Sequence, residues 1–385
     1  MDKSEIKLYF DDTISSLSEP KNSFARKAFF YASEISKDSN KYISNIDTNF
    51  GLLIVDDIYL PVSVNEADYD NAYVCSPYTH YISYAYDELR FIPNLIVRKV
   101  CFLLLAPFSI LFKLSRINKI VSINNWLLST CLYPNISEEN LNKITSYIKN
   151  AYPGHAIQFR SLQKVQHGEI IKNLQKNGYI LIPSRQIYLW RPEYSHTASK
   201  RQKKNFNQDR KILCSDDMTV SKINPGDEGK IKLVLDLYNK LYIKKYSKCN
   251  PQLSHTFLQM VIEKDIIDIY LLKEKTSGYT GAVGLLKSDN TITAPILGYN
   301  TDLKNAHIMY RACSALSYKI AQEDNLCCHK SSGAAEFKRN RGCVPAVEYS
   351  CVYVAHLPLY RRFIWNTLSL VLNVIAVPVM AKYKL

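Results

Sequence analysis

Residues 326–355 read LCCHKSSGAAEFKRNRGCVPAVEYSCVYVA, and their order of elements decides the fold. LCCHKS is a short strand, GAAEFKRNRG a short helix, and VEYSCVYVA a strand rich in β-branched and aromatic residues. Upstream, Leu303 to Asp324 has the spacing of a long amphipathic helix. Before that, IIDIYLLKEK, GYTGAVGLLKS and TITAPILGYN are three strands joined at Thr276-Ser277-Gly278 and Ser288-Asp289-Asn290, an antiparallel meander. The second half therefore ends helix (303–324), strand (326–331), helix (333–342), strand (346–354).

The first half ends in the same order. NISEENLNKITSYIK gives a helix from about Ser137 to Asn150, HAIQFRSL a strand over 155–162, GEIIKNLQKNG a helix over 168–177 closed by a glycine, and YILIPSRQIYLW a strand pair or bent strand over 179–190. Ahead of these, Asn49 to Val64 reads as two strands, Ala72 to Tyr86 as strand plus loop, Leu95 to Leu114 as a helix, and Val121 to Thr130 as a strand leading into a loop. In the second half, MTVSKI is a strand, and 226–243 and 252–263 are helical. This repetition predicts an α/β (α+β) chain of two similar units in tandem, each a mostly antiparallel mixed sheet flanked by helices. The expected divisions are an N-terminal extension over 1–48, a first unit over 49–194, a second over 195–357, and a C-terminal apolar and basic helix over 358–385.

The composition fits a folded chain of more than one unit. The 385 residues are 47% hydrophobic and 22% charged, with 12 Gly and 15 Pro, which excludes disordered and collagen-like sequence. The mean hydropathy of -0.17 argues against a polytopic membrane protein. The net charge of +14 favours an anionic partner, whether nucleic acid, an acidic membrane surface or a phosphorylated substrate. The start, MDKSEIKLYFDD, lacks a basic stretch followed by an apolar run and does not read as a secretory signal. The ten scattered cysteines form no CxxC pair, so reduced, mostly buried thiols in a cytoplasmic protein are expected, with neither zinc nor a disulfide framework and no metal site.

Two apolar stretches stand beside cations. VCFLLLAPFSILF (100–112) is too short to span a bilayer and contains Pro107; FIWNTLSLVLNVIAVPVMA (363–381) is long enough but carries Asn366, Asn373 and Pro378. Arg98, Lys99, Lys113 and Arg116 flank the first; Arg361, Arg362, Lys382 and Lys384 flank the second. No acid occurs from Leu89 to Ser137 or from Tyr349 onward. Contact with the inner face of an anionic membrane is expected from this pattern, with buried core helices and a C-terminal span as the alternatives.

The order meander, long helix, strand, short helix, strand resembles the GNAT acyltransferase fold. Two such units in tandem resemble its Fem-type, FemAB-like acetyltransferase members. The resemblance is carried by NNWLLSTCLYP (124–134), SKRQKKNFNQDRK (199–211), ILGYN (296–300) and SSGAAEFKRNRG (331–342), and covers roughly residues 50–356. It implies an N-acyltransferase that moves an acyl group from a thioester to an amine on a cell-envelope or lipid-linked acceptor, with no tightly bound cofactor. Many GNAT enzymes hold the coenzyme A pyrophosphate on a glycine-rich loop; the corresponding NTDLKNAHIMYRAC (300–313) has no glycine, as in Fem-type enzymes. Acyl-CoA, acyl carrier protein and aminoacyl-tRNA are therefore all donors to consider, with nucleic acid a partner only in the last case.

Candidate residues follow from what acyl transfer needs: a deprotonated nucleophile, an oxyanion donor and an acid for the leaving group. Glu348 lies in an apolar strand as a base or as a structural partner of Arg341. Tyr310, beside Arg311, is placed as the leaving-group acid or as core. Ser332 is a catalytic hydroxyl or an ordinary N-cap. Tyr299, Asn300, Ser331 and Gly333 are expected at the donor. Lys338, Arg339 and Arg341 hold an anionic group of the substrate or form a solvated helix face, and His329 is expected to be structural. Lys200 and Arg201, with Lys203 and Lys204, face an anionic partner or simply solvent. In the first unit, Asn125, Trp126 and Ser129 line a groove or merely pack. Two other functions compete with transfer. One is nucleic-acid binding, for which no RNA-binding motif or zinc knuckle is present. The other is a non-catalytic membrane adaptor on the same scaffold.

Overall fold

The computed structural model describes residues 6–91 and 93–383. Lys384, one of the cations behind the C-terminal apolar stretch, lies outside the described residues, as do the first five residues of MDKSEIKLYFDD. The strands are β1 (Ile6–Phe10), β2 (Asn49–Val55), β3 (Ile58–Asn65), β4 (Ile120–Ile123), β5 (Ala156–Gln163), β6 (Ile180–Trp190), β7 (Met218–Lys222), β8 (Asp268–Glu274), β9 (Thr280–Lys287), β10 (Thr291–Tyr299), β11 (Cys327–His329) and β12 (Val344–Tyr353).

The chain forms two compact units, neither continuous in sequence. The first takes the described residues of Met1–Ser184 with Tyr246–Gln252 and Tyr349–Pro378; the second takes Arg185–Lys245, Leu253–Glu348 and the described residues of Val379–Leu385. Strand β6 is divided at Ser184–Arg185 and β12 at Glu348–Tyr349, so each unit receives half of both.

The units repeat one topology. In the first, β1, β2, β3 and β4 pair antiparallel in turn, and β4 then pairs parallel with β5, Ile120 opposite Ala156 through Ile123 opposite Phe159. In the second, β7, β8, β9 and β10 pair antiparallel, and β10 pairs parallel with β11. A helix fills each parallel crossover, Glu138–Ala151 in the first and His307–Glu323 in the second. Mixed, mostly antiparallel sheets flanked by helices are the architecture the sequence predicts.

Local chemistry explains the elements. The β2–β3 hairpin turns through Asp56 and Asp57, and Asp56 takes the positive φ of 50° that a two-residue turn needs. Helix Glu138–Ala151 is capped by Ser137, whose hydroxyl accepts from the Asn140 amide, and it buries Leu141, Ile144 and Ile148 at three- and four-residue spacing. Helix Lys164–Lys176 ends before Gly178, at φ 84°. Gly298 of ILGYN serves packing: a β-carbon there would lie 2.5 Å from the Leu237 carbonyl carbon and the Tyr238 nitrogen, so it lets helix Glu228–Tyr238 sit on β10.

One expectation is corrected. Residues 72–86 are not a strand: Thr79–Glu88 is helical, with the Ser76 hydroxyl accepting from the Thr79 amide. Tyr78 and Ile82, one turn apart, are both buried, so the aromatic density serves a helix face. Of the two alternatives for 179–190, a strand pair or a bent strand, the single strand Ile180–Trp190 forms. The helix expected over Leu95–Leu114 has those bounds, and the C-terminal stretch runs as a helix from Leu359. Cys75, Cys131, Cys313, Cys327, Cys328, Cys343 and Cys351 are buried, with burial pushing the Cys313 and Cys328 thiols up to about 12.

Candidate functional site

The second unit gathers most of the candidates around the turn between β11 and helix Ala335–Arg339. Strands β10 and β11 pair only at Thr291–Cys327, Ile292–Cys328 and Thr293–His329. Beyond that point β11 has ended, its Cys328 and His329 pairing on their other side with Trp190 and Leu189 of β6, while β10 continues with β9 to Tyr299 after a bulge between Thr293 and Ile296. From Ile296 to Tyr299, β10 has no ladder partner on that side among the described residues.

The turn after β11 is tightly wound. Ser331, Gly333 and Ala334 all have positive φ, of 55°, 75° and 46°, a strained conformation for the serine and the alanine. Ser332 is not the N-cap: the cap position is Ala334, with no side-chain hydrogen bond, and Ser332 is exposed. The carbonyls of the turn face inward. Lys338 donates from Nζ to the Ser331 carbonyl (3.1 Å) and the Ser332 carbonyl (2.7 Å), and stands 5.4 Å from the Tyr188 ring centroid. The turn is thus closed on an amine and does not form an anion cradle of backbone amides.

Lys338 is 3% exposed, so it is no part of a solvated helix face. Burial, with Lys330 and Arg185 nearby, holds its pKa well below that of an ordinary lysine. In the neutral form, two N–H bonds meet the two carbonyls and a lone pair remains.

Glu348 is 2% exposed, and its partner is Arg185 rather than Arg341: Arg185 donates from Nε to Oε1 (2.9 Å) and from Nη2 to Oε2 (3.3 Å). His329 lies beside this pair. Its Nδ1 accepts from the Ser331 amide (3.2 Å), which assigns the ring proton to Nε2, facing Glu348 Oε2 at 3.7 Å. Arg339 donates to the Tyr188 hydroxyl (3.0 Å), which also accepts from Gln186 (2.7 Å).

Arg341 is committed to Asp209, itself 2% exposed. It donates from Nη2 to Oδ1 (3.0 Å) and from Nε to Oδ2, while Arg311 donates to Oδ1 (2.6 Å). The other end of the Arg341 guanidinium binds the Phe337 carbonyl (3.0 Å), one residue before Lys338. Asp209 belongs to helix Lys200–Leu213, opened by a Ser199–Gln202 capping box. Gln202 and Asn205, on the same helix face as Asp209, donate to the Arg339 (2.9 Å) and Asn340 (3.1 Å) carbonyls. That face grips the short helix, while Lys200, Arg201, Lys203 and Lys204 are exposed.

Tyr299, Tyr310 and Phe337 form a half-buried aromatic row, with ring centroids 6.0 Å and 4.7 Å apart. Asn300, at the end of β10, accepts from Lys240 (3.2 Å) and from the Asp302 amide (3.2 Å).

Asn125, Trp126 and Ser129 belong to the first unit. Asn125 and Trp126 are fully buried. Asn125 donates to Ser63 (2.8 Å) and the Val74 carbonyl (3.1 Å) and accepts from the Leu127 amide (3.2 Å) and Arg160 (3.3 Å); the Trp126 indole donates to Asn124 (3.0 Å). Their side chains are packing and turn-forming groups, and Ser129 is half-buried.

The residues missed in the sequence are Arg185, Tyr188 and Asp209. Arg185 is the one charged residue in the mostly apolar run ILIPSRQIYLW, a signal of the same kind as Glu348 in its strand. Asp209 is masked by its basic neighbours.

Each unit has the order of elements that the sequence resemblance implies, an antiparallel meander, a long helix and a strand parallel to the last of the meander. No protein-family model matches the sequence, and no curated protein matches it. Among solved structures, a conserved protein of unknown function from Bacteroides thetaiotaomicron is similar at 11% identity and TM-score 0.48, over 89% of this chain and 95% of that one. FemX is similar at 10% identity and TM-score 0.44, over 59% and 80%; the C-terminal domain of a putative lysylphosphatidylglycerol synthetase from Agrobacterium fabrum at 10% and 0.44, over 61% and 79%. At these identities and scores, no residue of this chain takes a role from them.

Proposed function

We propose that the chain is an acyltransferase that moves an acyl group from a thioester, acyl-CoA or acyl carrier protein, to an amine on a small or lipid-linked acceptor of the cell envelope. The observation that carries this reading is the buried Lys338 amine in the turn where the short β10–β11 ladder ends. The open edge of β10 offers backbone groups to an extended donor, with Tyr299, Asn300, Ser331 and Gly333 around it. The acceptor amine attacks the thioester carbonyl, forming the C–N bond; neutral Lys338 takes the proton the amine loses; collapse of the tetrahedral intermediate breaks the C–S bond. Tyr310 supplies a proton to the thiolate, and the Ser332 hydroxyl faces the acceptor. Glu348 with Arg185, and Arg341 with Asp209, act as positioning residues. The test is turnover of labelled acyl-CoA and acyl carrier protein with an amine-bearing lipid extract. Lys338→Met should lower transfer about 100-fold or more, the range of a lost general base; unchanged transfer would refute the assignment.

A second reading, an aminoacyl-tRNA donor, is favoured by the exposed cations of helix Lys200–Leu213. Transfer would then break an ester C–O bond, and added tRNA would bind with steep salt dependence.

A further inference from the structure

The first unit carries two apolar helices that the described residues cover only in part. Helix Leu95–Leu114 is anchored by its second half: Leu105, Phe108 and Phe112 pack in one core with Trp365 and Leu368, and Tyr78 shares a hydrogen bond with Ser109 (2.7 Å). Its first half is more open, although Phe102 meets the Tyr86 ring at 4.9 Å. Ile96 is 74% exposed and Leu103 69%, and Val97, Val100 and Phe102 are exposed as well. At 3.6 residues per turn, these positions spread over about 220° of the helix circumference, more than half of it.

The C-terminal helix is held along one side. Arg361 donates to the Gly154 (2.6 Å), Arg116 (3.1 Å) and Lys119 (3.1 Å) carbonyls, and Ser369 (2.6 Å) and Asn373 (3.2 Å) donate to the Leu181 carbonyl of β6. Its other side leaves Leu359 77% and Phe363 67% exposed, with Leu370 and Val374. These bonds fix the helix to the unit from Arg361 to Asn373, about 18 Å of its length. The uncovered half of the first helix, 95–103, is about 13 Å long. Neither can cross a hydrocarbon core of about 30 Å while keeping its anchors.

We infer that these two helices form one monotopic anchor, seated in a single leaflet of an anionic phospholipid bilayer and spanning nothing. Charge selects the occupant. Arg98, Lys99, Lys113 and Arg116 flank the first helix, and no acid lies from Leu89 to Ser137 or from Tyr349 onward. A second copy would set cation against cation, whereas anionic headgroups neutralise the face. The inference rests on the first unit alone and is independent of the transfer chemistry.

The test adds the full chain to preformed vesicles of phosphatidylcholine with and without phosphatidylglycerol, followed by flotation. Binding is expected to the anionic vesicles only and to be reversed by high salt. Leu103→Asp and Phe363→Asp, both at exposed positions, should each lower the bound fraction about tenfold with unchanged melting. Arg98→Glu with Lys99→Glu should do the same, since each cation near the surface is worth roughly fivefold. No flotation of a monomeric chain would overturn the inference, as would equal binding to neutral vesicles. A dimer in sedimentation velocity that Leu103→Asp dissociates, without flotation, would overturn it in favour of a second copy.

Discussion

The Nζ of Lys338 lies 2.7 Å from the carbonyl oxygen of Ser332, so the short helix after β11 sends its amine back into the turn that opens it. The left-handed Ser331, Gly333 and Ala334 aim the turn's carbonyls at that amine. The strained backbone and the buried lysine therefore belong to one device.

Burial of Lys338 has a pH signature. Its pKa is lowered in the folded chain, so the unfolded chain binds more protons between the folded value and the ordinary lysine value near 10.4, and stability rises with pH across that window. Below the folded value, the protonated amine destabilises the fold. Lys338→Met should flatten this rise, gaining relative to wild type as pH falls. Urea unfolding at a series of alkaline pH values checks it; parallel pH profiles for the two proteins would count against a depressed Lys338.

Breaking the Arg185–Glu348 pair from either side leaves a buried charge. Arg185→Met should cost about 3–5 kcal/mol, and the double variant Arg185→Met with Glu348→Gln should recover much of it. A double-mutant cycle in urea reads the coupling; additive losses would show that the two residues do not act as a pair.

Asp209 should matter to transfer although it is remote from Lys338. Asp209→Asn weakens the hold on Arg341 and Arg311, and through Arg341 on the Phe337 carbonyl. The expected outcome is a lower kcat with a shifted pH–rate profile, as Lys338 moves from its carbonyl pair. A loss of melting temperature with an unmoved pH profile would reduce Asp209 to a structural role.

Asn125 and Trp126 should affect stability and not substrate affinity. Trp126→Ala opens a cavity in a core where the ring also meets Tyr31 and Phe24, and should cost about 3–5 kcal/mol. Asn125→Ala leaves buried partners unpaired, at about 1–3 kcal/mol. A raised KM at unchanged stability would return them to the substrate.

Most of the architecture was legible in the sequence because periodicity reports local structure. The repeated helix–strand–helix–strand order appears in both units, and helix Leu95–Leu114 has the bounds its apolar run suggests. Residues 72–86 misled because aromatic residues suit strands and helix faces alike, and only the tertiary burial of Tyr78 and Ile82 selects the helix. Partnerships across long separations were not legible. Glu348 was read against Arg341, seven residues away, whereas its partner Arg185 is on β6 and the partner of Arg341 is Asp209. A charge pattern says that buried ions need partners, but the topology decides which strand or helix supplies them.

Transfer is expected to run through Lys338. The most direct measurement follows single-turnover transfer from labelled donors, acyl-CoA, acyl carrier protein and aminoacyl-tRNA, with wild type and Lys338→Met over a range of pH. The expected result is transfer from one donor class, rising with pH through a pKa below the ordinary lysine range, and loss of both the transfer and the titration in the variant. Transfer in Lys338→Met with the same rate and pH profile as wild type would contradict it, as would the absence of transfer from all three donors by wild type.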